Sequence, residues 1–524
     1  MTTKFGLGSL AITFALGSSW SVAGCAADKP SGYALDPGAD GGGNAGQVGG
    51  GGSGGSGLLG EDSGTFEEQD ADCPGGGSTT ITGKVYDPAG KNPLYNVAVY
   101  VPASPLQPLP PGVPTGADSC SCGALFKSQA VTSTTTAIDG SFTLSNVPAG
   151  KSVPLVLQVG KWRRALHVNV ASCAANPQPD KSLLLPSTVP SGDTDDNIPD
   201  IAVSTGVADT LECLMMRIGL PASELVAGAS TAGHVHVFAG GQPGGTGDHT
   251  IGRPETPAFA NAPTSFTDLW AAQAQLMAYD ITLLACEGGE TYDANPPALE
   301  AYLNAGGRVF ASHYQYSWFG GPIASGKWYQ PPLPAAYAAP ADWGTNLATW
   351  TKDVGGSENL IGGTVQTTLN GSSSTPFAKG AALQSWLQGL GALGQNGVPS
   401  GELSIYQPKY NATVATTNTI SQPWISASAM SSEPNATMYF SFDTPVNAPA
   451  QADGGEPTYC GRAVFSDLHV AGDPSTTDTP PTPGGCATGD LSPQEKALEF
   501  MLFDLSSCVI PDTVPPPQTV PPPK

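Results

Sequence analysis

The chain has 524 residues and a formal net charge of −24, with 20 Lys plus Arg against 44 Asp plus Glu. So few cations exclude nucleic acid as a partner, because phosphate binding needs clustered positive charge. They also exclude electrostatic adhesion to an anionic lipid surface.

Lys4 precedes an apolar stretch from Phe5 to Trp20 that closes at Val22-Ala23-Gly24-Cys25. This is the layout of a secretion signal, and its apolar part is shorter than the roughly 20 residues a membrane-spanning helix needs. The Val-Ala-Gly-Cys quartet resembles a bacterial lipobox. The resemblance implies that residues 1–24 are a lipoprotein signal peptide and that Cys25 becomes the lipidated first residue. An ordinary signal peptide with a chance cysteine is the alternative. The expected partner is therefore a membrane, reached through the lipid on Cys25. The expected location is exported and lipid-anchored to the cell envelope, at the outer membrane on its periplasmic or surface face.

Residues 25–78 form a tether. From Gly41 to Gly60, 12 of 20 residues are glycine, and such a segment cannot bury enough apolar surface to offset its ordering entropy. Nine cysteines follow Cys25, and in an oxidising compartment most should pair. Cys73, Cys120, Cys122 and Cys173 fall early, which allows two disulfides within the first domain. Cys213, Cys286, Cys460, Cys486 and Cys508 fall late and leave one thiol over, which we assign to Cys286.

Residues 79–205 show short alternating strands and turns. Ile81, Gly83 and Val85 alternate with polar residues, Val97, Val99 and Val101 share one strand face, and Asp139-Gly140 signals a tight hairpin before Phe142 and Leu144. The pattern predicts an all-β sandwich. The segments ITGKVYDPAGKNPLYNVAVYVP and TTAIDGSFTLSNVPAG resemble the carboxypeptidase regulatory-like, transthyretin-type domain. That resemblance implies a fold sometimes grouped with carbohydrate-binding folds, and no activity. Trp162, Arg163 and Arg164 form a basic-aromatic cluster able to stack on a sugar ring or pair with an anion. A strand edge with solvated cations is the plainer alternative.

From residue 206 to 510 the period changes. Leu211, Leu214, Met215 and Ile218 mark a helix stopped by Gly219, and Phe266 to Met277 mark another. Pro297–Asn304 reads as a helix, and Ser492-Pro493-Gln494-Glu495 as a capping box opening the last one. Apolar strands lie at 234–238, 281–285, 308–313 and 462–468. Helices alternating with such strands predict an α/β domain with a mostly parallel sheet. Residues 320–446 read as an inserted region rich in tryptophan, and residues 511–524 as a Pro-rich tail with no core to join.

In parallel sheets, ligands collect beyond the carboxyl ends of the strands. Three strands end in capable residues: Cys286-Glu287, Ser312-His313 and Ser466 to His469. A catalytic set would use Cys286 as nucleophile, His313 or His469 as base and Glu287 as orienting group. His234 and His236, two apart on one strand, have a spacing that metals can use. The segment ALEAYLNAGGRVFASH resembles the class I glutamine-amidotransferase-like fold, in its ThuA-like branch. The family carries a Cys nucleophile on an elbow at the end of this strand, where Ser312-His313 stand here, so the family's triad does not carry over.

The order of lipobox, tether, regulatory-like sandwich and amidotransferase-like domain resembles lipoproteins of myxobacterial type. The expectation is a membrane-anchored, non-catalytic exported lipoprotein that needs no cofactor. It would bind a ligand such as a glycan, or act in the cell envelope. The alternative is a ThuA-like hydrolase or sugar-modifying enzyme using the Cys286/His313/His469 crest.

Overall fold

The structure is a computed structural model. It describes Cys73 and residues 77–513 and Val520, apart from 207–208, 229, 241–263, 266, 288, 291–293, 322–337, 352–357, 430, 435, 450–457 and 471–488. The lipobox, most of the tether and Cys486 lie outside the described residues. Among those residues no helix is long and apolar enough to cross a membrane.

The protein is mostly β. Two four-stranded sheets come first. In one, Thr80–Tyr86 pairs with Ser141–Ser145, Ala175–Pro177 and Leu183–Leu184. In the other, Ala98–Pro102 lies between Ala130–Thr135 and Gly150–Val159, which continues to Trp162–Val170. Ile81, Val85, Val99, Val101, Phe142, Leu144, Leu155 and Leu157 share one buried cluster, as their alternation requires. Asp139-Gly140 does turn the chain, with Gly140 at φ +77°. The strands it joins belong to different sheets, so the expected hairpin is a corner between sheets. A Cβ at Gly140 would sit 2.7 Å from the Val85 carbonyl oxygen, so glycine is needed for close approach as well as for φ.

The third sheet has eleven strands and is mixed. Its run from Leu225–Ala227 through Val235–Ala239, Ile201–Ser204, Ile281–Leu284 and Arg308–Ser312 to Gly461–Ser466 is parallel throughout. Thr437–Thr444, Ser421–Ala427, Leu360–Val365 and Leu403–Tyr406 then extend it antiparallel. The sheet is thus less uniformly parallel than expected. The segment read as an insertion supplies those antiparallel strands. Its helix Ala378–Gly389 buries Leu383, Trp386 and Leu387, so tryptophan here is core. The helix expected over 266–277 is two short ones, Thr267–Trp270 and Gln273–Leu276. The last helix, Pro493–Ser506, starts with the expected capping box, Ser492 and Glu495 bonding each other's backbone N–H.

One apolar cluster runs from the sandwich into the large sheet, joining Val97, Val99, Leu157 and Trp162 to Trp386, Phe500, Phe503 and Val464. Tyr95 stacks on Phe500 at 6.0 Å, and Trp386 donates to the Pro93 carbonyl at 2.6 Å. Lys161, at the tip of a sandwich hairpin, pairs with Asp280 at 2.6 Å. Cys73–Cys173 closes within the sandwich, but Cys120–Cys460 and Cys122–Cys508 bridge it to the rest. The expectation of two disulfides inside the first domain is corrected. The Cys120-Ser-Cys122 loop faces the large sheet, and spacing alone could not show that. Cys213 is also disulfide-bonded.

The tail expectation also changes. Val520 is buried among Ala98, Tyr100, Phe126, Ala130 and Val156, on the sandwich face turned away from its main core. A buried charge network sits beneath the last helix. Arg462 grips Asp443 at 2.7 Å and Asp512 at 2.9 Å, and Lys379 holds Asp504 at 2.9 Å.

Candidate functional site

Parallel neighbours end together, so their carboxyl ends share one edge. Leu284 stands beside both Ser204 and Ala311, and Ser312 beside Ser466. The residues that follow each strand end therefore meet. They are Asp209 from the first, Cys286 and Glu287 from the second, His313 from the third, and Asp467 and His469 from the fourth. All are buried.

Cys286 remains a buried thiol. Its Sγ lies 3.1 Å from His313 Nδ1, and its backbone N–H donates to Ser312 Oγ at 2.9 Å. His313 and His469 rings are 5.1 Å apart between centroids. One ligand-type atom from each of Cys286, His313 and His469 falls within 4.8 Å of the other two. A Cβ on Gly206 would come within 1.9 Å of the Cys286 carbonyl oxygen, so the strand end beside the thiol has room for glycine alone.

His313 adopts φ +48°. It ends strand Arg308–Ser312 and opens a tight turn, His313–Tyr316, followed by the short helix Ser317–Gly320. A non-glycine residue in this region costs on the order of 1–3 kcal/mol and persists only where its surroundings impose it. Strand, strained residue and helix form the corner known as a nucleophile elbow. Here the elbow carries an imidazole, and the thiol arrives from the neighbouring strand. Gln315 supports the corner, its side-chain amide donating to the Ala285 carbonyl at 2.7 Å while Trp318 donates to its oxygen at 2.7 Å.

Asp209 was missed in the sequence. It accepts from the backbone of Thr210 at 2.9 Å and of Val470 at 2.8 Å, and it is hydrogen-bonded to Ser312. Burial pushes its carboxyl up to about 7, against the lowering effect of these hydrogen bonds. It ties the end of the first strand to the turns that carry both histidines. No spacing rule flags a lone Asp near a helix start as anything but a cap. Burial, with the charge of His313 and Lys409 adding to it, holds His469 well below the ordinary histidine range, so its imidazole is neutral at neutral pH. Glu287 is fully buried beside Gly240, where a Cβ would lie 3.2 Å from its Cγ and Oε1.

The other expected site residues lie apart from this crest. His234 is tied to Glu224 at 2.6 Å. Burial lowers its pKa, but the Glu224 carboxylate outweighs this and leaves it raised. His236 packs against the Tyr279 ring at 5.3 Å. Among the described residues, the cluster with the make-up of a metal site is Cys286, His313 and His469, and the pair His234 and His236 is not part of it.

Trp162 and Arg163 are 0% and 2% exposed. The Trp162 ring lies 5.6 Å from Phe503, and its N–H donates to Ser506 at 3.3 Å. Arg163 donates to the carbonyls of Asp195, Gln107 and Thr194 at 2.7–3.0 Å. Only Arg164 reaches solvent, paired with Asp196 at 3.3 Å. The expected sugar-stacking face at Trp162 is corrected, because that face is occupied by the last helix.

No family model and no curated protein matches this chain. Among solved structures, a 9R-lipoxygenase from Cyanothece PCC8801 aligns over 23% of this chain and 18% of its own, at 12% identity and a TM-score of 0.11. A likeness this slight carries no argument.

Proposed function

We propose that this is an exported protein, anchored to the cell envelope through a lipid on Cys25, that works as a hydrolase at the Cys286/His313/His469 crest. The observation that carries the reading is the 3.1 Å approach of the Cys286 thiol to the His313 imidazole at the shared end of parallel strands. A thiol and an imidazole within proton-transfer distance can split an ester or amide bond, the thiolate attacking the acyl carbon and the imidazolium returning its proton to the leaving group. The elbow at His313 supports assigning the large sheet to the amidotransferase-like, ThuA-like group. The paired four-stranded sheets support assigning residues 79–205 to the carboxypeptidase regulatory-like type.

The test is a screen of the full chain, purified in detergent, against chromogenic esters and amides. The expected result is turnover lost in both Cys286→Ala and His313→Ala. Turnover unchanged in both variants would sink the reading.

A second reading is a non-catalytic ligand binder. It is favoured by a separate cavity of about 470 Å³ whose wall includes Asn370, Asn447 and Tyr459. Amides beside an aromatic ring suit a polyhydroxylated ligand such as a glycan. Glycan-array binding abolished by Asn447→Leu and Tyr459→Ala would support it. Binding that ignores both variants would exclude this cavity.

A further inference from the structure

A nucleophile and its base need one thiol and one imidazole. The crest holds a second imidazole, His469, from a third strand end. Its ring faces that of His313 at 5.1 Å, and its Nε2 has no hydrogen-bond partner among the described residues. A buried polar nitrogen without a partner costs on the order of 1–3 kcal/mol. The Cys286 thiol and the His313 imidazole lie within reach of the same partner.

We propose that Cys286, His313 and His469 bind one thiophilic transition-metal ion, of the zinc class. In a tetrahedral site with ordinary zinc–sulfur and zinc–nitrogen bonds, ligand atoms are separated by about 3.3–3.6 Å. Here the Sγ–Nδ1 pair is at 3.1 Å, and no separation among the three exceeds 4.8 Å. No pair has to close by more than about 1.5 Å. A thiolate with two imidazoles is a donor set that suits zinc and disfavours magnesium or calcium, which take oxygen ligands.

The supporting shell has the form such a site needs. Ligand-bearing turns are usually fixed by outer hydrogen bonds. Ser312 Oγ accepts the Cys286 N–H at 2.9 Å, Asp209 binds Ser312 and the Val470 N–H, and Gln494 donates to the His469 carbonyl at 2.5 Å. The backbones of Cys286, Val470 and His469 and the side chain of Ser312, next to His313, are thereby held. Among the described residues the site has three protein ligands, and three with a fourth position left for water is the arrangement of hydrolytic rather than structural zinc. With Cys286 and His313 bound to an ion, neither would serve as nucleophile or base; the inference keeps the hydrolytic site but would hand the nucleophile's role to a water on the ion, and it rests on the hydrolase reading only for the purpose of the ion, since binding is measured separately.

The experiment strips the full chain with a chelator and titrates it with Co²⁺, reading thiolate-to-metal charge-transfer absorption, with Zn²⁺ content measured in parallel. The expected result is one ion per chain, with the charge-transfer band absent in Cys286→Ser. In His469→Ala, affinity should fall by more than the roughly 10- to 100-fold that loss of an outer-shell partner costs. Should the wild-type chain take up no more Co²⁺ than Cys286→Ser, the metal site is overturned, whatever the hydrolase screen shows. Stoichiometric binding without turnover would leave the site standing and remove the hydrolase reading.

Discussion

Cys286 Sγ and His313 Nδ1 lie 3.1 Å apart although the residues are 27 positions apart in the chain. Helix Pro296–Asn304 carries the chain between their two strands. The parallel register between Ile281–Leu284 and Arg308–Ser312 is what brings the residues after each strand to one place.

On the proposed lipidation of Cys25, Cys286 should be the single titratable thiol of the chain. Denatured without reductant, the protein should react with one equivalent of a thiol reagent. The native protein should react far more slowly, since Cys286 is 0% exposed. Two or more thiols under denaturing conditions would overturn this pairing.

Trp162→Ala should act on stability. A buried tryptophan replaced by alanine leaves a cavity and costs about 3–5 kcal/mol. Because Trp162 packs against Phe503 and Ser506, the loss should loosen the last helix. Thermal melting and limited proteolysis at the sandwich boundary both read this. An unchanged melting temperature would contradict the packing.

Arg462→Met should be among the most damaging single changes. It would leave Asp443 and Asp512 without the partner seen at 2.7 and 2.9 Å, while Lys379 would still hold Asp504. Removing one partner of a buried ion cluster costs about 3–5 kcal/mol. Partial recovery in Arg462→Met combined with Asp443→Asn would show that the uncompensated charge, rather than lost packing, carries the cost.

Asp280 should give stability a pH dependence of known sign. Burial pushes its carboxyl from 3.8 up to about 6, although Lys161 pulls it down. Between about pH 4 and pH 6 the carboxyl is ionised in the unfolded chain but still protonated in the folded one. Its contribution to stability therefore falls as pH rises through this window, by up to about 3 kcal/mol. Asp280→Asn removes that dependence. Its melting temperature relative to the wild type should climb between pH 4 and pH 6, and parallel profiles for the two proteins would refute the assignment.

Some of this was legible without coordinates. Alternation over Ile81–Val85 and Val97–Val101 marks strands of the two four-stranded sheets, because a strand with one buried face must repeat every second residue. The capping box at Ser492 marks the last helix, because its partners are three residues apart. The odd cysteine count left one thiol over, and its place at a strand end made Cys286 the choice. The strand ends carrying Cys286, His313 and His469 were also visible as strand ends.

Tertiary structure decided what depends on contacts between distant parts of the chain. Trp162 looked like a surface platform because sequence shows a residue type, whereas burial depends on Phe503, 341 positions further along. Cys120 and Cys122 looked like partners for Cys73 and Cys173, yet they bridge to Cys460 and Cys508. Asp209 carried no signal at all, since its role comes from hydrogen bonds to Ser312 and Val470. Local periodicity is set by backbone geometry over a few residues and can be counted along the chain. Which strand ends meet, and which ring is covered, is set by sheet order and packing, and those form only when the whole chain folds.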